Sequence, residues 1–301
     1  MQTRSTLLPN EPKATGDKVQ AALTARHLLP VVAELEACLL HLRAELDPVL
    51  RQRLPYKLGK AYPMGQCLEI SIAMQQRLES VDEAGLPAAA AASGLRALRA
   101  FQRAGGSVRR VWGDLRGEYF QNAFQIGTLY VDVSNDTVTP TKPKVEILPF
   151  EQSQLVAVAD FRHFSRLAAR YWNETAYPNH VLPALAPYCP LIHVTADGRI
   201  VLRELSDYMI LLTRSRAFAP SEAVLRDAPM PQALFDRVRA ALQGSGQALP
   251  DSPEAGRKQA LAQCQRARQA HTTPGVVTQA IRTAQTINGA FIARTMPPPT
   301  S

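Results

Sequence analysis

A cysteine beside a glycine-containing loop is the residue best placed to do chemistry in this sequence. Cys67 follows the segment Tyr62-Pro-Met-Gly-Gln66, and apolar residues at helical spacing begin directly after it. A thiol in the first turn of a helix lies next to free backbone N–H groups and the positive end of the helix dipole, which lower the pKa of the thiol. The same N–H groups can hold an oxyanion that develops on a substrate carbonyl. The alternative is that Cys67 is a small buried apolar residue, as free cysteines usually are.

Three predicted strands follow this cysteine after about forty residues. They contain Val111-Trp-Gly113, then Tyr119-Phe-Gln-Asn-Ala-Phe-Gln125, and after a glycine turn Leu129-Tyr-Val-Asp132. Over residues 63–136 this order resembles the transglutaminase-like branch of the papain-type cysteine enzymes. In that family a cysteine is the nucleophile, a histidine opening the second strand is the base, and an aspartate on the third strand orients the histidine. The resemblance implies that Cys67 is the nucleophile and Asp132 the orienting carboxylate.

The position of the base falls on Asn122, and an amide cannot take the proton of a thiol. Three explanations are open. A histidine from outside the matched segment reaches Cys67, with His163, His180 and His193 available. The site has lost turnover and kept the fold as a binding scaffold. Or the alignment is displaced and Asn122 is a buried amide that holds a neighbouring loop. Among the histidines we take His180 as the candidate, because its polar and aromatic context is typical of a loop, where functional residues concentrate.

The leading functional hypothesis is thiol-dependent acyl transfer on an amide or thioester, by hydrolysis, deamidation or transamidation. Its substrate would be a protein, a peptide-like molecule or a carrier-bound acyl group. The alternative is a catalytically degenerate relative that acts as a protein-binding module, for example a secreted bacterial effector. The candidate catalytic residues are Cys67, Asn122, Asp132 and His180, and the candidate substrate-binding residues are Tyr62, Gln66, Trp112 and Gln125.

Composition and motifs narrow the remaining classes. The chain has 301 residues, a net charge of +8 and 6% aromatic residues, and it has no lysine- or arginine-rich arm of the kind that binds nucleic acid. We expect no cofactor and no metal, because nucleotide-binding motifs are absent and the four cysteines are scattered. No apolar run approaches the length of a membrane span. We expect a cytoplasmic protein, with export by a specialised secretion apparatus as the alternative.

The periodicity of the chain predicts an α+β fold, with a central antiparallel sheet of papain/transglutaminase-like type between N-terminal and C-terminal helices. Helices are predicted for residues 17–53, 66–78, 88–103 and 161–172, and strands for 107–112, 119–125 and 128–133. The predicted domains are a flexible polar leader at 1–18, the α+β domain at 19–245, and a helical extension with a loose tail at 246–301.

Overall fold

An antiparallel five-stranded sheet and the helices on one of its faces form the first half of the chain. The computed structural model describes residues 7–13, 16–86, 88–203, 206–270 and 274–295. Its helices and antiparallel strands make an α+β fold, as predicted. The described chain divides into two compact units, Met1–Ala157 and Val158–Ser301.

The first unit contains five helices and seven strands among its described residues. In chain order they are α1 (Lys18–His27), α2 (Val32–Arg53), β1 (Tyr56–Lys57), β2 (Lys60–Ala61), α3 (Cys67–Ser80), α4 (Ala89–Arg103), β3 (Val108–Leu115), β4 (Tyr119–Ile126), β5 (Leu129–Asp132), β6 (Glu146–Pro149), α5 (Phe150–Ser153) and β7 (Leu155–Val156). The large sheet has the order β6-β5-β4-β3-β7, and β1 and β2 form a separate hairpin. The predicted helices and strands of this region therefore lie close to the observed ones.

The apolar face of the large sheet packs against α2, α3 and α4. Phe124 of β4 pairs with Val131 of β5, and both side chains belong to the same buried cluster as residues of these three helices. Gly94 allows α4 to approach α2 closely, because a Cβ at this position would lie 2.1 Å from the carbonyl oxygen of Glu34. A sheet covered by helices on this face is the frame on which the Cys67 region is built.

Part of the predicted flexible leader binds the edge and the opposite face of the sheet. The carbonyl of Asn10 accepts a hydrogen bond from the backbone N–H of Trp112 at 2.8 Å. The side-chain amide of Gln125 exchanges two hydrogen bonds with the backbone of Lys13, at 3.0 and 2.9 Å. Residues 7–13 are thus held by the sheet. Residues 1–6 and 14–15 of the predicted leader lie outside the described residues.

The second unit combines a three-stranded antiparallel sheet of order β10-β9-β8 with helices. Its elements are α6 (Phe161–Trp172), β8 (Thr175–Pro178), β9 (Leu191–Val194), β10 (Ile200–Val201), α7 (Asp207–Ser215), α8 (Ala219–Leu225), α9 (Gln232–Ala241), α10 (Pro253–Gln269) and α11 (Pro274–Thr295). In the parts of the chain that the structure describes, no helix is both long and apolar enough to cross a membrane.

The division between the two units falls at residue 157, inside the segment 19–245 that we expected to form one domain. The C-terminal helices explain the difference, because they complete the core of the second unit. Phe291 and Ile287 of α11 are buried in one cluster with Phe235 of α9 and Ile192 of β9. Helices α10 and α11 therefore contribute to the core of the second unit and are not an appended extension. The predicted loose tail at 297–299 lies outside the described residues.

Candidate functional site

Cys67 is the first residue of α3, as the sequence pattern predicted. The preceding turn is set by Gly65, whose φ of +71° favours a residue without a Cβ. The backbone N–H of Gly65 donates to the carbonyl of Thr137 at 2.8 Å, and the Gln66 side-chain amide donates to the carbonyl of Leu54 at 2.9 Å. These two hydrogen bonds hold the start of the helix and so fix the position of the thiol.

The Cys67 thiol is nearly buried, with 8% of the residue exposed. Its Sγ accepts a hydrogen bond from Nδ2 of Asn122 at 3.5 Å. Burial raises the pKa of the Cys67 thiol above its ordinary value, and the hydrogen bonds from Asn122 oppose this only in part. The expectation that the helix terminus lowers this pKa was therefore wrong. Desolvation is the largest influence on this thiol, and it favours the protonated form.

Asn122 lies on the helix-facing side of β4 and joins this strand to α3. Its backbone carbonyl accepts hydrogen bonds from Oγ of Ser71 at 3.2 Å and from Oγ of Ser134 at 3.3 Å. Ser71 is one helical turn after Cys67, so α3 contacts Asn122 through both residues. The structure thus brings Cys67 and Asn122 together and adds two hydroxyl groups that the sequence did not single out.

Asp132 lies on the opposite face of the sheet from Asn122. Residues paired across antiparallel strands share a face, and successive residues alternate. Since Phe124 pairs with Val131 on the helix-facing side, Asp132 faces the other way. The predicted role of Asp132, which was to orient a base at the Asn122 position, does not fit this geometry. The mismatch arises because the family pattern was followed along the chain without the strand register.

Four hydrogen bonds saturate the Asp132 carboxylate. Oδ2 accepts from Gln121 Nε2 at 2.6 Å and from the Tyr130 hydroxyl at 3.0 Å. Oδ1 accepts from the backbone N–H of Ser134 at 2.8 Å and from its Oγ at 3.0 Å. Burial raises the pKa of Asp132 to about 6 despite these donors. The carboxylate therefore fixes the chain as it leaves β5. The sequence analysis missed Gln121 and Ser134 as its partners.

The four candidate substrate-binding residues make contacts within the first unit. The Tyr62 hydroxyl donates to Asp47 at 2.6 Å, and the Trp112 ring stacks on Phe120 with centroids 5.5 Å apart. Gln66 and Gln125 make the backbone hydrogen bonds described above, and Gln66 is fully buried. Of these four, Gln66 lies directly beside Cys67 in the chain. The contacts of all four hold loops and strands in place.

His180 and His193 of the second unit are buried, whereas His163 on α6 is half-buried. His180 follows β8, and its Nε2 lies 2.9 Å from the carbonyl oxygen of Leu225. Burial lowers the pKa of His180 below its ordinary value. His180 therefore lies in a loop, as its sequence context predicted, but it is buried. His193 is also buried, with Nδ1 3.4 Å from Oε2 of Glu174. In the described part of the first unit, no histidine nitrogen makes a hydrogen bond to Cys67.

A buried ionic cluster near this site was not predicted from the sequence. Arg43 of α2 is fully buried and donates from Nε to Asp47 at 2.6 Å and from its two terminal nitrogens to Asp136 at 3.1 and 3.2 Å. The guanidinium also donates to the carbonyl of Val133, and Lys144 pairs with Asp47. The cluster ties the segment after β5 to α2. Its members are up to 101 residues apart in the chain (Arg43 to Lys144), so no local pattern reveals it.

No family model, no curated protein and no solved structure matches the chain. Among the described residues there is no cluster of three or more histidine, cysteine, aspartate or glutamate side chains that could hold a metal ion. The α+β fold and the Cys67–Asn122 contact therefore carry the functional argument by themselves.

Proposed function

We propose that the first unit is a catalytically inactive scaffold of the transglutaminase-like type and that it acts as a protein-binding module. The observation that carries this proposal is the contact between Asn122 Nδ2 and Cys67 Sγ. An amide at the base position donates a hydrogen bond to the sulfur and cannot remove its proton.

Two further features support the loss of turnover. Burial raises the pKa of the Cys67 thiol, whereas an activated nucleophile needs a lowered pKa. The Asp132 carboxylate is saturated by Gln121, Tyr130 and Ser134 and faces away from Asn122. Among the described residues, the cysteine has no base to remove its proton, and the aspartate has no histidine to orient. The first unit would then not catalyse acyl transfer.

The residues at this position have a structural role under the proposal. Cys67 and Ser71 of α3 both bind Asn122, and Ser134 joins the same strand to the segment after β5. Small polar groups that are buried and hydrogen-bonded to one another fix the register of a helix on a sheet. The scaffold would then present a rigid surface to its partner.

Thiol-dependent acyl transfer is the second candidate function. It is favoured by the position of Cys67 at the first residue of α3, where backbone N–H groups and the Asn122 amide together can stabilise an oxyanion. In such a reaction Sγ would bond to the carbonyl carbon of an amide or thioester, and the leaving amine or thiolate would take up the thiol proton. The substrate would be a protein, a peptide or a carrier-bound acyl group.

The substitution Asn122→His distinguishes the two functions. It places an imidazole beside Cys67, so we expect alkylation of this cysteine by iodoacetamide at neutral pH to become at least tenfold faster than in the wild type. Gln125→His is the matched control, since it lies on the same strand and faces the other way. It should leave the rate at Cys67 unchanged. Fast alkylation of Cys67 in the wild type, with no gain from Asn122→His, would contradict the proposed function.

A further inference from the structure

No described residue pairs with the outer edge of β3 at its N-terminal end. Trp112 donates its backbone N–H to Asn10, and Arg116, just past the strand, donates to Gln154. Both partners lie on the side away from β4. In an antiparallel strand the backbone groups of alternate residues point to the same side, so the N–H and C=O groups of Val108 and Arg110 also point outward. Among the described residues, neither has a backbone partner on that side.

A groove of about 490 Å³ runs along this open edge, between β3 and the helices α3 and α4. Its apolar lining includes Leu95 and Leu98 of α4 and Phe124 of β4. Val108 and Arg110 themselves line it and are half-buried. An edge strand with unpaired backbone groups beside a groove that is partly apolar is the geometry to which an extended peptide adds as a further strand.

The groove is positively charged. Arg99, Arg109 and Arg110 line it together with one carboxylate, that of Glu79, and Arg99 also pairs with Glu83 at 4.0 Å. Arg109 donates to the backbone carbonyl of Glu11 at 2.7 Å. In the part of the chain that the structure describes, neither Arg109 nor Arg110 has a carboxylate within ion-pair distance. Guanidinium groups that are not neutralised inside a groove favour a ligand with carboxylates.

We propose that this groove binds an extended segment of a partner protein in which aspartate or glutamate alternates with apolar residues. The inference rests on the proposed binding function and names its partner chemistry. The peptide backbone pairs with the outward groups of Val108 and Arg110. Apolar side chains on the helix-facing side of the added strand enter the groove over Leu95 and Leu98, and the carboxylates on its other face bind Arg109, which pairs with Gln125 and so faces away from α3 and α4. The alternation follows from the two-residue period of a strand.

The test uses the full chain and a fluorescently labelled peptide pool, in which glutamate or aspartate alternates with valine, isoleucine, leucine or phenylalanine over six residues. We expect fluorescence anisotropy to show binding that is at least tenfold tighter than for the same pool with lysine in place of the acidic residues. Arg109→Glu should weaken binding at least tenfold. Arg103→Glu is the matched control, since Arg103 is an exposed residue of α4 outside the groove, and it should leave binding unchanged.

Methylation of alternate backbone nitrogens in the peptides tests the added strand without altering the protein. Peptides methylated on the nitrogens that face β3 should lose at least tenfold in affinity, and peptides methylated on the other nitrogens should not. Equal binding of the acidic and lysine pools, equal effects of Arg109→Glu and Arg103→Glu, or no effect of methylation would each overturn the inference. Tighter binding of single-stranded DNA than of the acidic pool would overturn it as well.

The failure of this inference is distinguishable from failure of the proposed function. Cys67→Ala removes the thiol and leaves the groove intact, so it should not change peptide affinity. If Cys67 reacts as an activated thiol while acidic peptides still bind, the inactive-scaffold proposal fails and the groove proposal stands. If Cys67 is unreactive and the acidic pool does not bind, the groove proposal alone fails.

Discussion

Replacing Arg43 with methionine should strongly destabilise the first unit. The guanidinium is fully buried and is the only side chain that pairs with Asp136 in the described structure. Removal of one partner from a buried ion pair leaves an uncompensated charge and typically costs about 3–5 kcal/mol. Asp47 keeps its contacts with Tyr62 and Lys144, so the main loss falls on Asp136 and on the carbonyl of Val133.

Lys144→Met is the control for Arg43→Met, because the Lys144 side chain is 45% exposed and pairs with the same Asp47. An ion pair that is partly exposed contributes about 0–1 kcal/mol. Adding Asp136→Asn to Arg43→Met removes the stranded charge and should recover about 1 kcal/mol or more.

Urea unfolding, followed by the fluorescence of Trp112, measures these differences. The chain has two tryptophans, so a Trp172→Phe background makes Trp112 the sole reporter of the first unit. We expect the free energy of unfolding to fall far more for Arg43→Met than for Lys144→Met. A loss of about 1 kcal/mol or less for Arg43→Met, equal to that of the control, would refute the reasoning from burial and pairing.

Two further predictions concern packing and pH. Gly94→Ala should destabilise the first unit by about 1–3 kcal/mol in urea unfolding, because the added Cβ would collide with the Glu34 backbone. Gly289→Ala, on an open face of α11, should stabilise the second unit by up to about 1 kcal/mol. An equal effect of the two would contradict the close approach of α4 to α2. The pKa of Asp132, raised to about 6, means that this carboxyl favours folding below about pH 4 and that its contribution is lost as the pH rises through about 6. As the pH rises between these values, the free energy of unfolding of Asp132→Asn should therefore increase by about 2–3 kcal/mol relative to that of the wild type. A difference in the free energy of unfolding that is independent of pH would contradict the raised pKa.

Local periodicity was enough to locate most helices and strands of the first unit. The predicted helix at 161–172 in the second unit has the observed bounds of α6, and the strand predicted at 119–125 is β4 within one residue. Helix α11 lies within the helical extension predicted at 246–301, and the helical spacing of Ala284, Ile287 and Phe291, which form its buried face, is visible in the sequence.

The sequence predicts only those parts of the site that depend on residues close to one another in the chain. The start of α3 at Cys67 follows from the glycine turn, and the alternation along β4 separates Asn122 from Gln121 and Gln125. The position of Asp132 depends on the register between β4 and β5, which the sequence does not state. The pKa of the Cys67 thiol depends on burial by distant segments, and for this reason the helix dipole alone gave the wrong direction.

The ionisation of the Cys67 thiol tests the inactive-scaffold proposal most directly. The ultraviolet absorbance of the thiolate is titrated with pH in the native wild type and in Cys67→Ser, and the difference between the two curves gives the pKa of this thiol independently of its accessibility to reagents. We expect this pKa to lie above the ordinary thiol value of about 8.5, with no thiolate at neutral pH. A difference curve with its midpoint well below that value would show an activated nucleophile and would contradict the proposed function.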